Sequence, residues 1–240
     1  MKRYKDIFFD FDDTLYDTHG NAVLALSELF DKYNLCQYFD DPKVFYDSYW
    51  YENVVLWSQY AKGEIDRDYL IVERFRRPLS VGMCPDGTHF SPTREFCLEI
   101  SDVFLDLCSC KPGVIDGAHE IVEYLHDKGY RLHICSNGFH EVQYKKLNSC
   151  GLFPFFDSVI LSEDAGFNKP HKEFFDYAIK MSSASVDSTI MIGDNFNTDI
   201  MGAKNYGIDT LFFNAHPADF TAPEPVTFEV NRLFDIKNIL

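Results

Sequence analysis

An α/β fold, in which a doubly wound parallel sheet is interrupted by an all-helical insert, is predicted by three observations. Short apolar runs end repeatedly at carboxylate, hydroxyl or amide side chains. Helical periodicity fills the gaps between these runs in the second half of the chain. After the first run, residues 16–111 carry no convincing strand pattern. Strands alternating with helices imply a parallel sheet covered on both faces, and ligands of such sheets gather at the C-terminal strand ends.

The strand elements come first. Residues 6–10 form an apolar run that stops at Asp10, and residues 130–135 stop at Ser136, Asn137 and Gly138. Residues 189–192 lead into Gly193 and Asp194, and residues 210–213 stop at Asn214. A weaker run, 158–161, precedes Ser162 and Glu163. Between them, residues 117–128 place Ala118, Ile121, Val122 and Leu125 on one helical face, and Gly129 ends the helix. Further helices are predicted over 140–150, 173–181 and 198–205. The insert reads as helices at 22–35, 44–61, 67–75 and 93–107, with a Gly- and Pro-punctuated loop at 82–92. The predicted organisation is a core from residues 1–15 and 112–240, with a helical cap domain from 16–111. The stripe Tyr46, Tyr49, Trp50, Trp57 and Tyr60 sits at helical spacing and reads as packing within that cap, with base stacking as the alternative.

Composition narrows the function classes. The chain has 240 residues, 46% of them apolar, which is ample for a buried core. A formal charge of −16 argues against a nucleic-acid polymer as partner, because phosphate-backbone affinity comes from clustered Lys and Arg. No apolar stretch is long enough to span a membrane. The N-terminal start is basic and then apolar, but the run is short and ends in carboxylates, so it is not read as a targeting segment. Seven cysteines without paired spacing suit reduced thiols, and the expected location is cytoplasmic.

Three carboxylates, Asp10, Asp12 and Asp13, lie within four residues after a buried strand. They repel one another unless a cation or proton intervenes. Alone, the segment equally suits a turn with an Asp helix cap. Three distant segments bear on the choice. Ser136 and Asn137 bring a hydroxyl and backbone N–H groups suited to a phosphate oxygen. Lys169, before Pro170, brings a compact positive charge, and Asp194 and Asp199 bring two more carboxylates. Each has an ordinary reading as a turn or a helix start. Their common placement at strand ends is poorly explained by chance.

These four segments resemble the motifs of the haloacid dehalogenase-like (HAD) hydrolases. Asp10, Asp12 and Thr14 match the first motif, Ser136 the second, Lys169 the third, and Gly193, Asp194 and Asp199 the fourth. The resemblance covers nearly the whole chain and implies a Rossmann-like core with a cap after the first motif. The stretches 136–139, 162–178 and 213–216 also look like those of bacterial pyrimidine-nucleotide 5′-phosphatases.

What the resemblance implies joins with the chemistry of the residues. Asp10 is the nucleophile that forms an aspartyl-phosphate. Asp12 protonates the leaving alkoxide and later deprotonates water. Asp10, Asp194 and the backbone carbonyl of Asp12 hold Mg2+. Ser136, Asn137 and Lys169 hold the transferring phosphoryl oxygens. Thr14 buttresses the loop, and Asp199 braces Lys169 or a metal-bound water. Asp13 is assigned to the turn that leaves the strand. His216 follows the last strand and recurs in the resembling group, with a place at the rim of the site as the alternative to an ordinary loop position. The expected partner is a small phosphorylated metabolite, a nucleotide for preference, with the oligomeric state open.

Rival readings are a sugar-phosphate phosphatase, a phosphomutase, a dehalogenase and a regulatory module phosphorylated on aspartate. Dehalogenation needs no proton donor and so no Asp12. Receiver-like modules are about half this length and have no cap.

Overall fold

The computed structural model describes residues 4–240. The basic start of the N-terminal stretch, residues 1–3, lies outside the described residues. The chain divides into two compact units, one built from the residues up to Thr18 with Pro112–Leu240, the other from His19–Lys111.

The first unit is a six-stranded sheet with β1 (Asp6–Phe9), β2 (Arg131–Ser136), β3 (Ser158–Leu161), β4 (Thr189–Gly193), β5 (Asp209–Phe213) and β6 (Phe228–Val230). The strands run in the order β3-β2-β1-β4-β5-β6, and every pair is parallel. Strand order reverses between β1 and β4, the point at which open α/β sheets leave a crevice for ligands. Alternation along the strands fills the two faces differently. Ile7, Phe9, Leu132, Ile134, Ile190 and Ile192 belong to the core that includes Ile121, Val122 and Leu125 of α5 (Ala118–Asp127). Phe8, Cys135 and Met191 pack with Phe174, Phe175 and Ala178 of α8 (Lys172–Ser182) and Ala203 of α9 (Gly202–Tyr206). Each fully buried Phe or Ile contributes roughly 1.5–3 kcal/mol by leaving water. The unit also holds α6 (His140–Ser149) and a single turn, α7 (Ser162–Ala165).

The second unit consists of α1 (Thr18–Lys32, which begins in the first unit), α2 (Pro42–Ala61), α3 (Arg67–Leu79) and α4 (Arg94–Ser109). Side-chain caps start three of these helices. Asp41 accepts from Lys43 N, with Pro42 opening α2. Asp66 accepts from Tyr69 N at 2.8 Å, and Thr93 from Phe96 N at 3.2 Å. The core is aromatic: Tyr49 is buried with its ring 5.1 Å from both Phe75 and Phe104. Tyr46 and Trp50 pack partly buried against it, whereas Trp57 and Tyr60 meet each other edge-on at 5.6 Å.

Several boundaries differ from the sequence reading. The helix expected at 22–35 starts at Thr18 and ends at Lys32, because Asn34 takes a left-handed conformation and a separate 3-10 turn follows. The third helix runs four residues past Phe75, and Pro78 is accommodated in its last turn. The helix expected over 198–205 is a π-helix at Phe196–Met201 followed by α9. Strand β6 was not anticipated: it is three residues long and pairs only with β5. All seven cysteines are free. No helix among the described residues is long and apolar enough to cross a membrane.

Candidate active site

Asp10 directly follows β1, and its N–H donates to Ile192 O at 2.8 Å, which ties it to β4. Asp194 directly follows β4. The two carboxylates therefore flank the reversal in strand order. Thr14, fully buried, donates to Asp194 Oδ1 at 2.9 Å and to Asp10 Oδ2 at 3.2 Å, and it accepts from Asp194 N at 3.0 Å. One hydroxyl thus fixes both strand-end carboxylates. Asp13 supplies the reversal that brings Thr14 back, with φ of 60° and its N–H on Tyr16 O.

Lys169 is buried and donates to Asp10 Oδ1 at 2.6 Å and to Asp199 Oδ1 at 2.7 Å. Asn137 positions it from behind: its Oδ1 accepts from Lys169 N at 2.8 Å and its Nδ2 donates to Lys169 O at 3.0 Å. Asp199 lies in the π-helix, where its Oδ2 accepts from Asn195 N at 3.1 Å. Gly193 makes this approach possible, since a Cβ there would lie 2.3 Å from Asp199 Oδ2.

Ligand oxygens of Asp10, Asp194 and Asp199 lie within 4.8 Å of one another. Burial pushes the Asp10 carboxyl up to about 7 against the pull of Lys169, and Asp199 adds to the rise. Burial also lifts Asp194 well above the usual carboxylate range, reinforced by Asp10 and Asp199. Lys169 is held above its ordinary value: burial opposes its charge, but Asp10 and Asp199 outweigh that. Three carboxylates around one ammonium leave an excess of negative charge in a buried place. Clustered carboxylate oxygens suit a hard divalent cation such as magnesium. Asp199 is the least available of the three, because Lys169, Thr198 and Asn195 occupy its oxygens.

Asp12 lies apart from that cluster. Its Oδ1 accepts from Thr18 Oγ1 at 2.7 Å and from Lys146 Nζ, and its Oδ2 accepts from Gln143 Nε2. Burial works against its charge, but Lys146, Thr18 and Gln143 hold it below the usual carboxylate range. Ser136 Oγ is buried and accepts from Gly138 N and Gln143 Nε2, both at 3.0 Å.

The residues picked out from the sequence for the chemistry lie at or just beyond the C-terminal ends of β1, β2 and β4, except Asp199, which the π-helix supplies, and Lys169, which comes from the segment between α7 and α8. His216 is exposed beyond β5, and the structure gives it no place in these bonds. Sequence reasoning missed Gln143 and Lys146 of α6 and Thr18. The first two fall among Val142, Leu147 and Cys150 on the buried face of a helix, where a polar side chain needs a partner.

A family model described as haloacid dehalogenase-like hydrolase matches residues 4–207. The chain belongs to that family. The solved structure of the HAD-hydrolase YfnB from Bacillus subtilis, bound to magnesium, superposes with a TM-score of 0.85 at 31% identity, over 100% of this chain and 99% of that one. The pyrimidine 5′-nucleotidase PynA of Streptococcus pneumoniae is 30% identical over 99% of this chain and 97% of its own length. A glyceraldehyde 3-phosphate phosphatase of Methanothermobacter thermautotrophicus is 29% identical over 88% of this chain and 86% of its own. The HAD core and the parallel sheet with flanking helices expected from the sequence are both present, the sheet with β6 as an additional sixth strand.

Proposed function

We propose that this HAD hydrolase is a magnesium-dependent phosphatase of small phosphomonoesters, with nucleoside 5′-monophosphates as its preferred substrates. The observation that carries the reading is Asp10. Its carboxylate stands at the reversal in strand order, 2.6 Å from a buried lysine and within ligand reach of Asp194 and Asp199. Asp10, Asp194 and the backbone carbonyl of Asp12 would hold magnesium, with Asp199 bracing Lys169. Magnesium, when bound, neutralises the phosphate and brings it beside a carboxylate that would otherwise repel it.

In the first half-reaction an oxygen of Asp10 attacks phosphorus, the ester P–O bond breaks, and the leaving alkoxide takes a proton from Asp12. Lys169, the Ser136 hydroxyl and the Asn137 N–H hold the phosphoryl oxygens as charge shifts. In the second, Asp12 takes a proton from water, whose oxygen attacks the aspartyl-phosphate and releases phosphate and Asp10. The bonds that Lys146 and Thr18 make to Asp12 favour its ionised form, the one needed for this second half.

The nucleotide preference draws its support from the likeness to PynA across nearly the whole of both chains. The test is phosphate release with magnesium from a pyrimidine monophosphate, a purine monophosphate, two hexose phosphates, glyceraldehyde 3-phosphate and an aryl phosphate. The pyrimidine monophosphate should have the highest kcat/KM among the natural esters. A sugar or triose phosphate ahead by about tenfold overturns the nucleotide preference alone. No release from any of them, the aryl phosphate included, overturns the phosphatase reading. Full activity after exhaustive chelation overturns the metal requirement.

A further inference from the structure

We propose that Lys146 and Gln143 are positioning residues for catalysis, which fix the Asp12 carboxylate and couple it to the Ser136 hydroxyl. The inference rests on the reading of Asp12 as the acid–base group. The two residues stand one helical turn apart on α6, so their side chains leave the same face. Both are buried, Gln143 at 1% and Lys146 at 6% exposure. A lysine and a glutamine are costly to bury unless their polar ends are used. Here both ends reach Asp12, more than 130 residues earlier in the chain, one to each carboxylate oxygen.

The number of donors gives the arrangement a direction. A carboxylate offers about two acceptor sites on each oxygen. Lys146 and Thr18 take the two on Oδ1, and Gln143 takes one on Oδ2. The remaining site lies on Oδ2, which is therefore the oxygen placed to exchange a proton with substrate or water. Gln143 spends its two N–H groups on Asp12 Oδ2 and, at 3.0 Å, on Ser136 Oγ. A single planar amide thus sets the spacing between the proton-transferring oxygen and a phosphate-holding hydroxyl. Gly138 leaves the space that this amide occupies, since a Cβ there would lie 1.6 Å from Gln143 Nε2. The Lys146 ammonium also sits 4.9 Å from the centre of the Tyr16 ring, which limits where it can go.

The experiment uses the full chain with magnesium, and compares Lys146→Met, Gln143→Leu and Asp12→Asn, alone and combined, on a nucleoside monophosphate. Lys146→Met should lower kcat about tenfold or more with KM changed by less than about threefold, the pattern of a lost transition-state contribution. Added to Asp12→Asn, the same change should cost less than about threefold further, because its effect runs through the carboxylate. Gln143→Leu removes no charge and serves equally if Lys146→Met is unstable. It should lower kcat and raise KM together, and lose most of its kcat effect in the Asp12→Asn background. Equal losses with and without the Asp12 carboxylate would mean a merely structural role and overturn the inference. Wild-type turnover by Lys146→Met and Gln143→Leu, with Asp12→Asn impaired, overturns it while leaving the acid–base reading intact. Wild-type turnover by Asp12→Asn overturns both.

Discussion

Gly138→Ala offers a sharp test of the packing around Asp12, because the added methyl competes for space with one identifiable group. The new Cβ would fall 1.6 Å from Gln143 Nε2 and 2.5 Å from its Cδ, so the amide must leave. It then loses a charge-assisted bond to Asp12, about 1.5–3 kcal/mol, and a neutral one to Ser136, about 0.5–1.5 kcal/mol. Part of this is returned. Gln143 Oε1 is buried with no hydrogen-bond partner among the described residues, and releasing it recovers roughly 1–3 kcal/mol. The net destabilisation is about 1–2 kcal/mol, or roughly 2–8 °C in thermal midpoint for a chain of this size. Thermal unfolding of Gly138→Ala, Gln143→Ala and the double variant gives the measurement. If eviction of the amide is the mechanism, Gly138→Ala costs little once Gln143 is already alanine. The same loss in both backgrounds would refute the steric argument.

Four other outcomes are expected. Asp10→Asn should abolish phosphate release while leaving the thermal midpoint near wild type, and retention of about a tenth of kcat would rule Asp10 out as nucleophile. Lys169→Met leaves Asp10 and Asp199 buried without their counter-charge and should cost about 3–5 kcal/mol in urea unfolding of the magnesium-free chain; an unchanged midpoint contradicts it. Gly193→Ala places a Cβ 2.7 Å from Asp199 Cβ, a contact no side-chain rotation relieves, so magnesium affinity should fall about 10–100-fold by titration calorimetry. His133 is kept neutral, its burial pushing the pKa below the ordinary value despite Asp6. The unfolded chain therefore binds the extra proton first. This stabilisation is full above about pH 6.5 and is lost on acidification below it, at up to about 1.4 kcal/mol per pH unit. His133→Gln should flatten stability between pH 7 and 5, and an unchanged slope would count against the assignment.

The parts of the site that were legible in the sequence share one property: they sit where a run of buried apolar residues stops. Asp10, Ser136 and Asp194 all do so, because a parallel strand covered on both faces admits polar side chains only at its end. Lys169 and Asp199 were legible through the family motifs rather than through pattern. Gln143 and Lys146 were not read, because they lie within a helix instead of ending a strand, and nothing local in the sequence shows that the face they share is buried. The π-helix was hidden for a different reason. Residues 198–205 have ordinary helical composition, and what widens the turn is the bond network of Asn195 and Asp199. Strand β6 is too short for periodicity to register, and it is held only by its pairing with β5.

Asp17 N donates to Gly113 O at 3.2 Å, Ile115 N donates to Leu15 O at 2.9 Å, and Tyr16 pairs antiparallel with Val114 between them. The chain thus departs toward the helical unit and comes back through adjacent backbone positions about 5 Å apart. The two ends of the segment are thus held by their own backbone bridge, outside the six strands of the sheet. The stem sets one geometric condition on whatever lies between His19 and Lys111: its two ends must meet there. Asp10, Asp12, Asp194 and Lys169 all lie outside that segment. Recombination at that one doorway would leave the carboxylate and lysine cluster at the sheet edge as it is.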